Sequence, residues 1–487
     1  MVFVQACLQQ LPGAPGSAPE AGPSSKVERK YLAPVSKDVL RVKLPAPVEA
    51  TLANGLTVLI LEDHRLPTVS MRLHLGGAGG LYDPAHLPGL AGVTAEMLLE
   101  GTKSRASRKV AEEVESLGAH LAASARFGGD AAAINASGLS DNFDEWFALA
   151  ADVLLHPVFP AEELERLKQR LKTQLRQQRA SPSFLSGERF NRAVFGSHPA
   201  AVVSSTAEAI DALTPAQLAQ WHRDRYAPQN AILGIAGDVR AADVIPKLNR
   251  WLAGWRRSEA KESLPAAPAP AKTRKVYLVD RPNSIQTTLV MGNIALDRAH
   301  PDYIPMTIMN RILGGGSAAR LFLNLREEKG YTYGVYSSFA ALRYPGPWRA
   351  GGDVRTEVTG GAMKEFFYEL RRIREEKVSG RELEDAKRSV VAGFALSLEQ
   401  PAQLLEFAIA RKIYGLPADY WDNYPEKVMA VTADEVQRVA RKYLDTETVQ
   451  IVAVGNAGKI RAELEKYGPV ELFDTEGRAI KAVPSPS

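Results

Sequence analysis

A single cysteine, Cys7, stands in 487 residues. That excludes an intrachain disulfide, a Cys-based zinc module and a CxxC redox motif. Histidine is scarce as well. The eight, at positions 64, 74, 86, 120, 156, 198, 222 and 300, form no HExxH, HxxxH or HxH pair, so scattered surface or hydrogen-bonded histidines are the plain reading and a cryptic zinc site is not expected. No apolar run approaches the roughly 18 residues of a membrane span; the best, ALAADVLL at 148–155, belongs to an amphipathic helix. Excess charge of one sign is also missing, since 60 basic against 56 acidic residues leave a formal net charge of +4. That balance argues for neither nucleic acid nor an anionic membrane as partner. LGGGSAAR has the glycines of a phosphate loop but lacks GxxxxGK[ST], and reads as a turn before a helix.

What remains is a chain of globular composition, 45% hydrophobic and 24% charged, long enough for two to four domains. Its first 30 residues are rich in Pro, Gly, Ala and Ser without periodicity and are expected to be disordered. VQAC at 4–7 suggests the remnant of an export signal, a misplaced start being the alternative. A periplasmic location is therefore expected, with the cytoplasm as alternative.

From residue 50 the pattern turns to strands. In TVSMRLHLGG (68–77), Val69, Met71, Leu73 and Leu75 alternate with Ser70, Arg72 and His74, which predicts a half-buried sheet. SRKVAEEVESLG (107–118) predicts a helix with Ser107 as cap, Val110, Val114 and Leu117 on one stripe, and Gly118 as stop. AHLAASARF and DAAAINASG read as a hairpin, and DNFDEWFALAADVLLHP and PAEELERLKQRLKTQLRQQ as two long helices.

The clearest organisational feature is a duplication. LTPAQLAQWHRDRYAPQNAILGIAGDV (213–239) aligns with VTADEVQRVARKYLDTETVQIVAVGNA (431–457) at a constant offset of 218, and EELERLK (162–168) aligns with RELEDAK (381–387) at an offset of 219. Two related halves follow, joined by the Pro-, Ala- and charge-rich stretch 256–275. Mixed helices and antiparallel strand pairs give an α+β class. The expected organisation is a disordered leader (1–44), an N-terminal α+β domain (45–255), a linker (256–275), a C-terminal α+β domain (276–470) and a tail (471–487).

Across about residues 45–465 the chain resembles the pitrilysin or insulinase family of zinc peptidases, in particular its small bacterial and mitochondrial-processing-type members. NGLTVLILED (54–63), GGAGGLYDP before GLAGVTAEMLLEGT, FPAEELERLKQ, the duplicated halves and LREEKGYTYGVYSSF (325–339) carry the resemblance. It implies two similar α+β domains and a bowl-like subunit that encloses a chamber with a homologous partner. In active members the helix matching GLAGVTAEMLLEGT bears His-x-x-Glu-His, whose two histidines bind zinc while the glutamate activates water. Here those positions are Gly92, Ala95 and Glu96. The family's third ligand, a glutamate on a later helix, falls on Gln174, with Thr173 as the alternative; a neutral amide is a poor zinc ligand. Leu90, Val93, Met97 and Leu98 remain to fill the core.

The resemblance also implies an Arg and a Tyr, seven residues apart in the C-terminal half, that bind the substrate backbone and stabilise the reacting carbonyl. Arg326 and Tyr333 have that spacing. From the residues alone, Ser317 caps a helix through AARLFLNLREEK that Gly330 ends, and YTYGVYSSF follows as a strand, so both side chains could point into one cavity. Helix-dipole complementation by Arg326 and ordinary strand packing by Tyr333 are the structural alternatives. The expected function is a zinc-free, substrate-binding subunit of a heterodimeric metallopeptidase, inactive alone, with no cofactor of its own and zinc on the homologous partner. Peptides or unfolded segments are the expected substrates. A non-catalytic assembly subunit, like the respiratory-complex core proteins that resemble the same family, is the alternative.

Overall fold

The computed structural model describes residues 38–259 and 262–480. The expectations for Cys7, VQAC and the disordered first 30 residues fall outside the described residues. Contacts group the chain from Leu40 onward into one compact unit. Leu40, Val42 and Leu44, counted with the leader from sequence, pack against the core of the second half, where the Leu44 amide donates to Asp422 at 2.9 Å.

The first half begins with β1 (Val48–Thr51), β2 (Thr57–Glu62), β3 (Thr68–Gly76), α1 (Leu90–Met97) and α2 (Ser107–Ser116). The hairpin β4 (His120–Ala125) and β5 (Ala131–Leu139) follows, then α3 (Phe143–Leu155), α4 (Ala161–Arg179) and α5 (Pro182–Phe195). α6 (Ala207–Ala212), α7 (Pro215–Arg225), β6 (Ala231–Gly237) and α8 (Ala241–Trp251) complete it. The second half opens with β7 (Lys275–Asp280), β8 (Gln286–Ile294), α9 (Tyr303–Leu313), α10 (Arg320–Phe322), β9 (Thr332–Phe339) and β10 (Pro347–Arg355). Then come α11 (Thr359–Glu375), α12 (Gly380–Ser397), α13 (Pro401–Ile413), α14 (Tyr424–Ala430), α15 (Ala433–Tyr443), β11 (Gln450–Gly455), α16 (Ala457–Glu465) and β12 (Val470–Phe473).

Two six-stranded sheets, ordered β1-β2-β6-β3-β5-β4 and β12-β7-β11-β8-β10-β9, make the duplication plain. β2 runs parallel to β6 as β7 does to β11, and the next three strands of each sheet are antiparallel. The helices ahead of β6 and β11 start alike. Thr214 and Thr432 each accept the amide three residues on, while Gln217 and Glu435 accept the cap residue's own amide. These capping boxes satisfy orphan donors and contribute roughly 1 kcal/mol each. The Ser107 cap is not seen: α2 is preceded by Ala106 without a side-chain cap, and the Ser107 hydroxyl donates instead to Glu100 at 2.6 Å.

Val69, Met71, Leu73 and Leu75 are buried as their alternation predicts, but the sheet is not half-buried. Its second face is covered by a helix from the other half. Pro401 opens α13 and redirects the chain after α12, so that Leu405 and Ile409 pack on Leu59, Leu61 and Ala236 of the first sheet. Reciprocally, Pro182 opens α5, which lays Phe190 and Val194 against Val452, and Leu185 against Val279 and Val454, of the second sheet. The halves thus exchange helices. A Cβ on Gly234 would sit 2.8 Å from the side-chain ends of Leu405 and Ile409, so glycine there lets α13 lie close to the sheet, whereas a Cβ on Gly292 would run first into the Trp348 carbonyl of its own sheet. Ion pairs cross the same boundary, Arg72 to Glu406 at 2.9 Å and Arg343 to Asp130 at 3.2 Å.

Candidate functional site

α1 begins at Gly89, whose φ of 101° is open to glycine at little cost. The Asp83 carboxylate accepts the amides of Gly89 at 2.7 Å and Ala91 at 2.8 Å, tying the glycine-rich turn to the helix start. Burial pushes the Asp83 carboxyl up to about 6, against the lowering effect of those two amides. Leu90, Val93, Met97 and Leu98 are all buried, as expected of a packing helix. Between α1 and α4 lies a cleft of about 220 Å³. Gly92 and Glu96 line it from α1, Gln174 and Gln178 from α4, and Ala125 and Phe127 from the end of the edge strand β4.

The fold therefore gathers three of the four positions assigned to zinc chemistry. Ala95 is the exception, fully enclosed and absent from the cleft wall. Thr173, the alternative to Gln174, turns away and donates to the Gln169 carbonyl at 3.0 Å. The donor set does not fit zinc. Gly92 and Ala95 offer no donor, Gln174 a neutral amide, and the one carboxylate, Glu96, is held by Arg170 at 2.8 Å. Among the described residues no group of three or more His, Cys, Asp or Glu side chains is placed to hold a metal ion.

Arg326 and Tyr333 do not line that cleft, and both are open to solvent rather than enclosed, Tyr333 at 91% exposure. Each sits on a backbone irregularity. The helix expected from Ser317 starts later, after Ala319, and its continuation Leu323–Glu328 is a π turn, with the Lys329 amide reaching the Asn324 carbonyl at 3.0 Å. Arg326 projects from this turn, its guanidinium paired with Glu327 and 5.1 Å from the centre of the Phe322 ring. Gly330, with φ 63°, ends the segment as predicted.

On β9 the ladder pairs Thr332 with Val354 and Val335 with Gly352, leaving Tyr333 and Gly334 opposite the single residue Asp353. This is a β-bulge, and the Thr332 hydroxyl braces it by accepting the Gly334 amide at 3.1 Å. In an unbroken strand Tyr333 would share the buried face of Val335 and Ser337; the bulge turns it outward. π turns and bulges concentrate at functional sites because they re-aim a side chain at a cost in regular bonding. The glycine inside the alternating run YTYGVY was the one sequence signal for the bulge; Asp83 and Gln178 had none.

Both halves of this duplicated α+β chain are similar to domains of one peptidase family. The insulinase (peptidase family M16) profile matches residues 57–202, and the peptidase M16 inactive domain matches residues 212–390. A crystal structure of a peptidase M16 inactive domain from Pseudomonas fluorescens is 30% identical, with a TM-score of 0.78, covering 84% of this chain and 98% of that one. A protease from Helicobacter pylori shares the fold at 18% identity and a TM-score of 0.77, over 84% of this chain and 100% of its own. An uncharacterized zinc protease of Bacillus subtilis is 21% identical over 84% of this chain and 98% of its own length. One from Rickettsia bellii is 24% identical over 83% and 97%. The chain belongs to the M16, or insulinase, family of peptidases.

Proposed function

We propose that this chain is the zinc-free, substrate-binding subunit of a heterodimeric M16 peptidase, supplying Arg326 and Tyr333 to an active site whose zinc sits on a homologous partner. One observation carries the reading: the two side chains stand on adjacent backbone irregularities, π turn and bulge, that leave both open to solvent. The planar fork of Arg326 donates to a peptide carbonyl, and the Tyr333 phenol adds a donor that strengthens as negative charge develops on that oxygen. The cleft at Gly92, Glu96 and Gln174 keeps the packing of the family's zinc helix with its ligands replaced, which leaves the metal to the partner. The substrate class is an extended peptide, since the donors address backbone rather than a particular side chain.

The test is a mixture of this chain with a homologue bearing an intact His-x-x-Glu-His. Each chain alone should be inactive or weak and the mixture active. Tyr333→Phe should lower turnover in the mixture by roughly 10²-fold, and Arg326→Ala should damage both binding and turnover, with the dimer intact by sedimentation. Full activity from the Arg326→Ala/Tyr333→Phe double variant would refute the proposal and favour an assembly role.

A further inference from the structure

Arg326 is long and flexible, and an exposed guanidinium serves a reacting carbonyl only if something limits where it points. The structure supplies a restraint outside the Arg/Tyr pair. Phe322, buried at the start of the same helical segment, presents its ring 5.1 Å from the Arg326 guanidinium carbon. Tyr336, half exposed on β9, packs on Phe322 with ring centroids 5.6 Å apart and planes at 39°. The glycine inside the bulge gives Tyr336 room as well: a Cβ on Gly334 would lie 3.1 Å from its ring. The bulge that turns Tyr333 outward thus contains the residue that leaves space for the ring that backs Phe322.

We infer that Tyr336 is a positioning residue for Arg326, acting through Phe322. An aromatic face holds a guanidinium in plane while leaving its N–H edge free for a ligand. Glu327 takes part of that edge in the free chain, and the aromatic contact keeps the group near its working place when a peptide carbonyl displaces the carboxylate. Tyr336 touches no substrate in this account. Its phenol is dispensable and its ring is not.

The inference rests on the Arg326 reading, and the experiment separates the two. Peptide cleavage is measured in the mixture with the zinc-bearing homologue for Arg326→Ala, Tyr336→Ala, Tyr336→Phe and the Arg326→Ala/Tyr336→Ala pair. Tyr336→Ala should lower kcat/KM by roughly three- to tenfold. Tyr336→Phe should restore it, and Tyr336→Ala should change nothing further once Arg326 is gone. An equal loss in both backgrounds, no loss at all, or failure of the phenylalanine to rescue would overturn the positioning role. A neutral Arg326→Ala would instead remove the underlying reading and this inference with it. Because a structural defect could imitate a loss, the melting temperature of Tyr336→Ala is checked, and mass-mapped phenylglyoxal labelling of Arg326 is followed in the isolated chain. Labelling should be faster in Tyr336→Ala than in wild type, and an unchanged rate would count against the contact.

Discussion

Installing three ligands, Gly92→His, Glu96→His and Gln174→Glu, should create a zinc site in a chain whose wild type is expected to bind none stoichiometrically. The cleft already brings these positions together, and the cost of the changes can be estimated. A Cβ at Gly92 would meet the Ala125 carbonyl at 3.2 Å, so the end of β4 must yield by a few tenths of an ångström. Losing the exposed Glu96–Arg170 pair costs about 0–1 kcal/mol. The triple variant should therefore fold. Zinc at a hundredfold excess over its dissociation constant should stabilise it by about 2.7 kcal/mol, a rise of several degrees in melting temperature. Completing the motif with Ala95→Glu is different, because Ala95 is fully enclosed and off the cleft wall. Overpacking there costs roughly 1–3 kcal/mol, and an unpaired buried carboxylate adds to it. Elemental analysis and thermal unfolding with and without zinc decide the matter. About one zinc per wild-type chain, a folded triple variant that ignores zinc, or a quadruple variant as stable as the triple would refute the reasoning.

The exchanged helices predict that a single cut in the 256–275 linker leaves the two halves associated by size exclusion, and that Leu405→Ala, whose side chain is 2% exposed, costs roughly 2–5 kcal/mol; separation of the cut halves would contradict the first. Acid should weaken the fold. Burial pushes His74 and His222 each down to about 4, and the His222 ring N–H donates to the Leu154 carbonyl at 2.8 Å. A histidine with a depressed folded pKa contributes stability that is full above about 6.5 and lost as pH falls through 4, about 3 kcal/mol for a shift of this size. Asp83, raised to about 6, and Glu406, also raised by burial, oppose this by gaining as pH falls, but His198 is lowered by burial too, so three histidines stand against two carboxyls. Denaturant unfolding should therefore show lower stability at pH 4.5 than at pH 7.5, and a flat profile would count against the buried neutral histidines.

Much of the fold was legible because local signals and the repeat pointed the same way. The offset of 218 carries α7 (Pro215–Arg225) onto α15 (Ala433–Tyr443), matching their ends, and each start is written in a threonine cap and a polar residue three positions on. The β4–β5 hairpin and the long helices α3 and α4 were read from period and breaker residues alone. The positions that the resemblance assigns to zinc chemistry were legible only through it, as Gly92, Ala95 and Gln174 carry no chemistry to notice. Ser107 and Ser317 failed as caps because nearby backbone settled the helix starts at Ala106 and Ala319.

By itself, then, the sequence determined the two α+β halves, much of the element order in the first, the residue types at Gly92, Ala95, Glu96 and Gln174 and the spacing of Arg326 and Tyr333. Each depends on residues near in the chain or on residue type. The tertiary structure decided which helix covers which sheet, because a face of Ser70, Arg72 and His74 reads as solvent-facing until Glu406 arrives from the other half. It decided that Ala95 is enclosed while Gly92, Glu96 and Gln174 share a cleft. It also decided that Tyr333 points outward. Side-chain direction in a strand depends on register with its neighbour, and one extra residue opposite Asp353 reverses what alternation predicts.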